Sequence, residues 1–303
     1  MTTENEARDY HGRWTAGGSD AQTMEGSQEH AAKAAGNYKP LVGLPQNPIH
    51  LADGWYTPGP NAKLKDAAAA YMKSAGLPYN PIQTYQHADP VQGAKIAQAF
   101  DQMKHDPNDP ATKASYEALA KETMAQWQAI KATGLQVDWI KSGHADPYQD
   151  TPRAAEMDVS ENNHWWGFPT DQGFGSDPNI KDNPMLRDSG EVIGGRHALV
   201  NDVFRIVHDM NGHIKEGNGF TPSGEDNAWR SHYAMYSPAA RPAMTTETRG
   251  QSSWVNYGPH GASNRAMLYG SGTTTHTPSG VIYAPQKIGL LPDWVQEGAK
   301  DPS

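Results

Sequence analysis

The chain has 303 residues, 36% of them hydrophobic, and 34 acidic against 25 basic residues give a formal net charge of −9. No basic run breaks that acidic balance, which argues against nucleic acid or an anionic membrane as a partner. With no cysteine present, disulfides, thiolate nucleophiles and cysteine-ligated zinc are excluded together.

The N-terminus shows no basic segment followed by an apolar one, and no run approaches the ~18 apolar residues of a membrane span. The expectation is a cytoplasmic protein. The 30 glycines and 23 prolines predict long irregular connections around a modest core.

Residues 1–38 lack a sustained apolar period and are rich in Gly, Ser, Glu and Thr, the composition of a mobile tail. The alternative is a short arm that orders against a neighbouring subunit of a homo-oligomer. Residues 39–60 carry five prolines and should be looped. Helices follow: "NAKLKDAAAAYMKSAG" closed by Gly76, then two helices opened by Asp89-Pro90 and Asp109-Pro110, the second closed by Gly134. In the last of these Tyr116, Leu119, Ala120, Thr123, Met124, Trp127 and Ile130 recur at three and four, as an amphipathic helix requires. These helices carry no convergent catalytic set and read as scaffold. Between 142 and 195 the chain is loop-rich, with one aromatic knot, "HWWGFP" from His164 to Pro169. Core packing is its ordinary role, and the wall of a pocket is the alternative.

From residue 196 the texture changes. Asn201 or Asp202 is placed to cap a helix through "VFRIVHDMNGH", a second helix should start near Gly224, and Ser237-Pro238 should open a third. Three successive helices then present His208, Glu225, His232 and Glu247. On an ideal α-helix His208 and His213, five apart, diverge by about 140°. They converge only where the helix ends or deforms, and Gly212 is the easiest place for that. Two neutral imidazoles and one carboxylate form the facial triad of non-haem Fe(II) oxygenases, with three open positions for dioxygen and substrate.

"HDMNGH" resembles the His-Glu-x-x-Gly-His iron motif of the pterin-dependent aromatic amino acid hydroxylases. In that family a later glutamate completes the iron site, and here "TTETRGQ" supplies Glu247 in similar surroundings. "RHAL" is similar to the Arg-His pair before the family's motif, and "WVNYGPHG" to its later Tyr-Gly segment. The likeness covers roughly residues 196–265. It implies His208, His213 and Glu247 as iron ligands, Arg196 as a holder of a substrate carboxylate, and tetrahydropterin as reductant. Asp209 stands where the family has glutamate, the Thr-Pro-Glu-Pro-Asp lead-in is absent, and "PAMTT" replaces the aromatic residues before the family's glutamate. The wider chain, including "HDPNDPATKASYEAL" and "AMYSPAARPAMTTETRGQSSWVNYGP", also resembles uncharacterised phage-encoded proteins.

Around this set, Glu225 and His232 are expected to orient the ligands by hydrogen bonding, or else to bind a second metal. Arg249 and Gln251 flank Glu247, and Arg249 is placed to hold a substrate anion or to pair with Asp209. The adjacency of His208 and Asp209 invites comparison with His-Asp phosphohydrolases, for which His197, His164 and Asp226 would have to complete the site. The resulting expectation is a mainly α protein with a few short strands, one of them Val281–Tyr283. A helical layer of residues 39–145 packs on a metal-centred domain of residues 146–303. Its expected function is that of a mononuclear Fe(II) oxygenase acting on an aromatic or amino-acid-like small molecule. The alternative is a structural or virion-associated phage protein without catalytic metal.

Overall fold

Helices begin where a side-chain oxygen can stand in for a missing carbonyl. In the computed structural model, α1 (Ala62–Ser74) is capped by Asn61, which accepts from the Leu64 amide at 3.1 Å. The Asp-Pro device opens α2 (Pro90–Gln102) and α3 (Pro110–Lys131): Asp89 accepts from Val91 N and Asp109 from Thr112 N. Proline at the first helical position sacrifices no intrahelical hydrogen bond. Gly76 and Gly134 follow α1 and α3 at φ of 68° and 78°, a conformation that a Cβ would oppose.

The structure describes residues 7–8, 14–15, 60–79, 85–140, 148, 153–170, 182–269 and 281–299, and 58% of them are helical. The fold is mainly α. Apart from a two-residue antiparallel ladder, β1 (Ala7–Arg8) with β2 (Trp14–Thr15), the tail expected at 1–38 lies outside the described residues. Strand β3 (Gln136–Trp139) pairs in parallel with β4 (His164–Gly167), and α4 (Arg153–Asn162) lies between them in the chain. β5 (Asp188–Ile193) and β6 (Arg196–Leu199) form an antiparallel hairpin over Gly194 and Gly195, both at positive φ. The C-terminal half continues through α5 (Val200–His208), α6 (Pro222–Tyr233), α7 (Arg241–Thr245), α8 (Gln251–Tyr257) and α9 (Gly261–Tyr269).

Helices α3 and α5 organise the interior. One cluster packs Trp127 and Ile130 of α3 with Val203, Ile206 and Val207 of α5, Leu64 of α1 and Trp165 of β4. A second packs Tyr116 and Leu119 of α3 with Phe204 of α5, Trp229 of α6 and Met244 of α7. Each such large side chain contributes about 1.5–3 kcal/mol by leaving water. Both clusters draw on residues from either side of the expected division at 145, which itself falls outside the described residues. Each cluster thus joins the expected helical layer to the region that follows it.

The aromatic knot belongs to this packing. Trp165 is in the first cluster, and buried His164 is held by Asp158 at 2.8 Å and Asp138 at 3.4 Å. Burial pulls the His164 pKa down, but the two carboxylates outweigh it and hold the ring above its ordinary value. The expected strand at Val281–Tyr283 does not form. Instead the Asn264 side chain takes both backbone groups of Ile282, accepting from its N–H at 2.9 Å and donating to its carbonyl at 2.7 Å. A side-chain amide thus replaces the strand partner. Among the described residues, no helix is long and apolar enough to cross a membrane.

Candidate functional site

Helix α5 begins two or three residues earlier than its sequence suggests, with Leu199 in the cap position instead of Asn201 or Asp202. Asp202 sits in the first turn, where its carboxylate accepts from Leu199 N at 2.8 Å and Thr170 N at 2.7 Å. From Val200 to Val207 every residue is buried, so the helix is a central rod. It then widens instead of ending. Asp209–Ile214 is a π-helical segment, marked by Lys215 N donating to Met210 O at 2.8 Å. A π turn closes on the fifth residue, so residues five apart share a face as residues four apart do in an α-helix.

This brings the His208 and His213 ring centroids to 5.2 Å, at 85° to one another. Gly212 has a different role from the break expected of it. Helix α6 crosses close by, and a Cβ on Gly212 would stand 3.0 Å from Ala228 O and 3.1 Å from His208 Cε1. Glycine is the residue that lets the crossing and the ring coexist.

Helix α6 supplies the carboxylate. Thr221 caps it and Pro222 starts it, so Glu225 falls in the first turn with Oε2 3.6 Å from His213 Nε2. One donor atom from each of His208, His213 and Glu225 lies within 4.8 Å of the others. Atoms bound to one ion at about 2.0–2.2 Å stand at most about 4.4 Å apart, so small side-chain shifts bring the set to coordination distance. Among the described residues this is the one group of three or more such side chains.

Glu247, the carboxylate that the hydroxylase resemblance implied, is outside this group. It sits on a second π-helical segment, Thr246–Gly250, where it accepts from Tyr116 Oη at 2.6 Å and Gln251 Nε2 at 2.9 Å. Desolvation and the neighbouring carboxylate push the Tyr116 pKa well above its ordinary value, so the phenol remains a donor to Glu247.

The protonation of each imidazole follows from its neighbours. His213 Nδ1 lies 3.1 Å from both Asn218 O and Gly219 O. Carbonyls only accept, so Nδ1 carries hydrogen and Nε2 faces Glu225. Burial lowers the His213 pKa, but the Glu225 carboxylate, then Asp209 and the Asn218 carbonyl, raise it to about 9 overall. Without a metal this ring is an imidazolium paired with Glu225. His208 Nδ1 lies 3.0 Å from His232 Nδ1, and His232 Nε2 lies 3.1 Å from Gln126 Oε1. Desolvation holds the His232 pKa well below its ordinary value, so that ring is neutral.

Gln126 escapes a sequence reading because it lies on α3, in the stretch taken as scaffold. Its signal was a polar residue three after Thr123, on the face that the apolar residues bury. Phe220 stacks on His213 with centroids 4.2 Å apart, and Phe204 on His208 at 6.1 Å.

The remaining expected residues sit apart from the triad or are already engaged. Arg196, on β6, lays its guanidinium over the Trp139 ring at 5.3 Å. Arg249 pairs with Asp226 at 2.8 Å instead of Asp209, donates to the carbonyls of Val295 and Glu297, and stacks 4.0 Å over Trp229. His197 is largely exposed beside Asp188, His164 is held by Asp158, and Asp226 is taken by Arg249. None of these three joins His208 and Asp209 in a phosphohydrolase arrangement.

A cleft of about 310 Å³ runs between the start of α2, the start of α6 and α8. Its walls include Asp89, Ile96, Glu225, Asp226, Arg249 and Tyr257. Glu225 therefore borders both the cleft and the triad. No protein-family profile, curated protein or solved structure matches this chain, so the reading of the site rests on its own geometry.

Proposed function

We propose that the protein is a mononuclear non-haem iron enzyme, an oxygenase in which His208, His213 and Glu225 hold Fe(II). The observation that carries this reading is the convergence of two imidazoles and one carboxylate within 4.8 Å. Fe(II) held on one face by two imidazoles and a carboxylate supplies dioxygen activation at its open positions. The chain's own contribution is geometric. The π turn aligns the two rings, the Asn218 and Gly219 carbonyls orient His213, and Phe220 covers one face of the His213 ring.

The cleft beside Glu225 offers the substrate its approach. Its charged walls are Asp89, Glu225, Asp226 and Glu297 against Arg249, and Arg249 is committed to Asp226 and two carbonyls. Arg196 is not part of the lining. This balance favours a neutral or amine-bearing aromatic molecule over a carboxylate anion. Tetrahydropterin enters as reductant on the hydroxylase resemblance alone, with ascorbate as the second reductant to try.

The test is metal analysis and oxygen uptake on protein purified without a histidine tag. His208→Ala, His213→Ala and Glu225→Ala should each lose the metal, whereas Glu247→Ala should keep it. Fe(II) with a reductant should support slow dioxygen uptake, abolished in Glu225→Ala. Full metal content in all three triad variants would sink the site. Metal binding without uptake under either reductant would point to a hydrolytic or structural Zn(II), which also accepts two histidines and a glutamate. Wild-type protein that binds no metal would favour the structural, virion-associated alternative over a cytoplasmic enzyme.

A further inference from the structure

Between His208 Nδ1 and His232 Nδ1, 3.0 Å apart, there is room for one proton. Which ring donates it is decided elsewhere. His232 Nε2 faces Gln126 Oε1 at 3.1 Å, and that oxygen also accepts from Asn211 Nδ2 at 2.8 Å. The amide cannot turn over, because Gln126 Nε2 faces Met235 O at 3.4 Å and a carbonyl opposite a carbonyl would repel. His232 therefore donates from Nε2; fully buried, with its ring nitrogens facing an amide and an imidazole and no carboxylate, it keeps a single ring proton and accepts at Nδ1. His208 must donate from Nδ1, which leaves its lone pair on Nε2. Gln126 is 1% exposed, Asn211 2% and His232 0%, so bulk water is not at hand to supply a substitute partner.

We infer that Gln126 and His232 are positioning residues for the metal. They form a relay from the Met235 carbonyl to His208 that fixes the Nδ1–H tautomer and presents Nε2 for coordination. The inference rests on His208 being a metal ligand. A ligating histidine needs its second nitrogen held, both to orient the ring and to raise the basicity of the nitrogen that binds. For His213 the backbone does this through Asn218 and Gly219. For His208 the task passes to a side chain on α6 and then to one on α3, so helices from both halves of the chain set one imidazole.

The arrangement differs from a carboxylate–histidine pair in one respect. Its acceptor is a neutral imidazole, which adds no negative charge beside the metal. The charge of a bound divalent ion would then be offset by Glu225 with less help from the groups behind it.

Cobalt(II) titration of the full chain, followed by visible absorption, tests the relay. Gln126→Leu and His232→Phe should weaken Co(II) binding by about 10–100-fold and shift its ligand-field bands. Gln126→Glu, which keeps an acceptor facing His232, should stay close to wild type in affinity. His232→Gln should recover part of the loss, because its amide oxygen can accept from His208. If the two residues merely fill space, folded His232→Phe would match wild type in affinity and spectrum, and Gln126→Glu would be the worst variant because it buries a charge. Either result would overturn the inference.

Ring-nitrogen NMR of the unmodified, metal-free protein gives a reading that needs no variant to fold. His232 should be protonated at Nε2 and bare at Nδ1. The opposite tautomer would refute the relay even if metal binds at His208. Failure of wild-type protein to take up Co(II) would count against the metal centre itself, and the NMR would still decide the direction of the relay.

Discussion

His208 and His213 face one another edge to face, 5.2 Å between centroids, because the turn that joins them is π-helical. In a regular α-helix the same two positions would point about 140° apart, and Glu225 could approach only one of them. The widened turn exchanges regular hydrogen bonding for convergence, a trade that π turns often make at functional sites.

That convergence depends on Gly212. Its φ is not in the left-handed region, so alanine is conformationally acceptable and gains up to about 1 kcal/mol of helix propensity. The added methyl would nonetheless meet Ala228 O at 3.0 Å and the His208 ring at 3.1 Å. Overpacking of this kind costs about 1–3 kcal/mol. Gly212→Ala should therefore be destabilised on balance in urea unfolding and should bind metal more weakly. A variant as stable as wild type with unchanged affinity would show that the α6 crossing is not tight.

Metal binding should depend on pH through His213. Its folded, metal-free pKa is raised to about 9 from 6.5, since the pull of Glu225, Asp209 and Asn218 exceeds the opposing effect of burial. A raised folded pKa contributes stability that is fully present below 6.5 and is lost as pH rises through about 9. The metal must displace the same proton, so apparent affinity should climb about tenfold per pH unit toward 9 and then level off. A flat affinity profile across this interval would remove His213 from the ligand set.

Glu247 and Tyr116 make a separate, testable pair. Tyr116→Phe deletes the 2.6 Å hydrogen bond to a buried carboxylate and should cost about 1–3 kcal/mol in thermal or urea unfolding. Metal stoichiometry should not change. Loss of metal in this variant would bring Glu247 back as a ligand, in line with the hydroxylase resemblance.

Arg249 ties the second π-helical segment to α6 and to the C-terminal segment through Asp226, Val295 and Glu297. Arg249→Ala should lose about 1.5–3 kcal/mol of stability and leave metal content intact. Arg249→Lys should recover little, because an ammonium cannot reproduce the forked donation and the stacking on Trp229. Metal loss at unchanged stability would instead place Arg249 in the site.

Much of this molecule was legible in its sequence because the deciding interactions are local. Asp89 and Asp109 cap helices through amides two or three residues away, and the repeat of Tyr116, Leu119, Thr123 and Trp127 marks the buried face of α3. Even the need for a deformed turn followed from a five-residue spacing. The starts of later helices were less legible. Near α5, Asp202 reaches back to Leu199 and out to Thr170, and that second contact spans 32 residues.

What the sequence could not decide is which of two carboxylates meets the histidines. Glu225 and Glu247 both lie on helices after the His pair, and spacing along the chain says nothing about how those helices cross. The choice was made by packing. The Thr221 cap puts Glu225 in the first turn of α6, Gly212 lets that helix approach the π turn, and Tyr116 on α3 holds Glu247 elsewhere. Gln126 was hidden for the same reason, since its partner His232 is 106 residues away. Periodicity determines the face of a helix on which a residue lies; only the tertiary structure determines what that face meets.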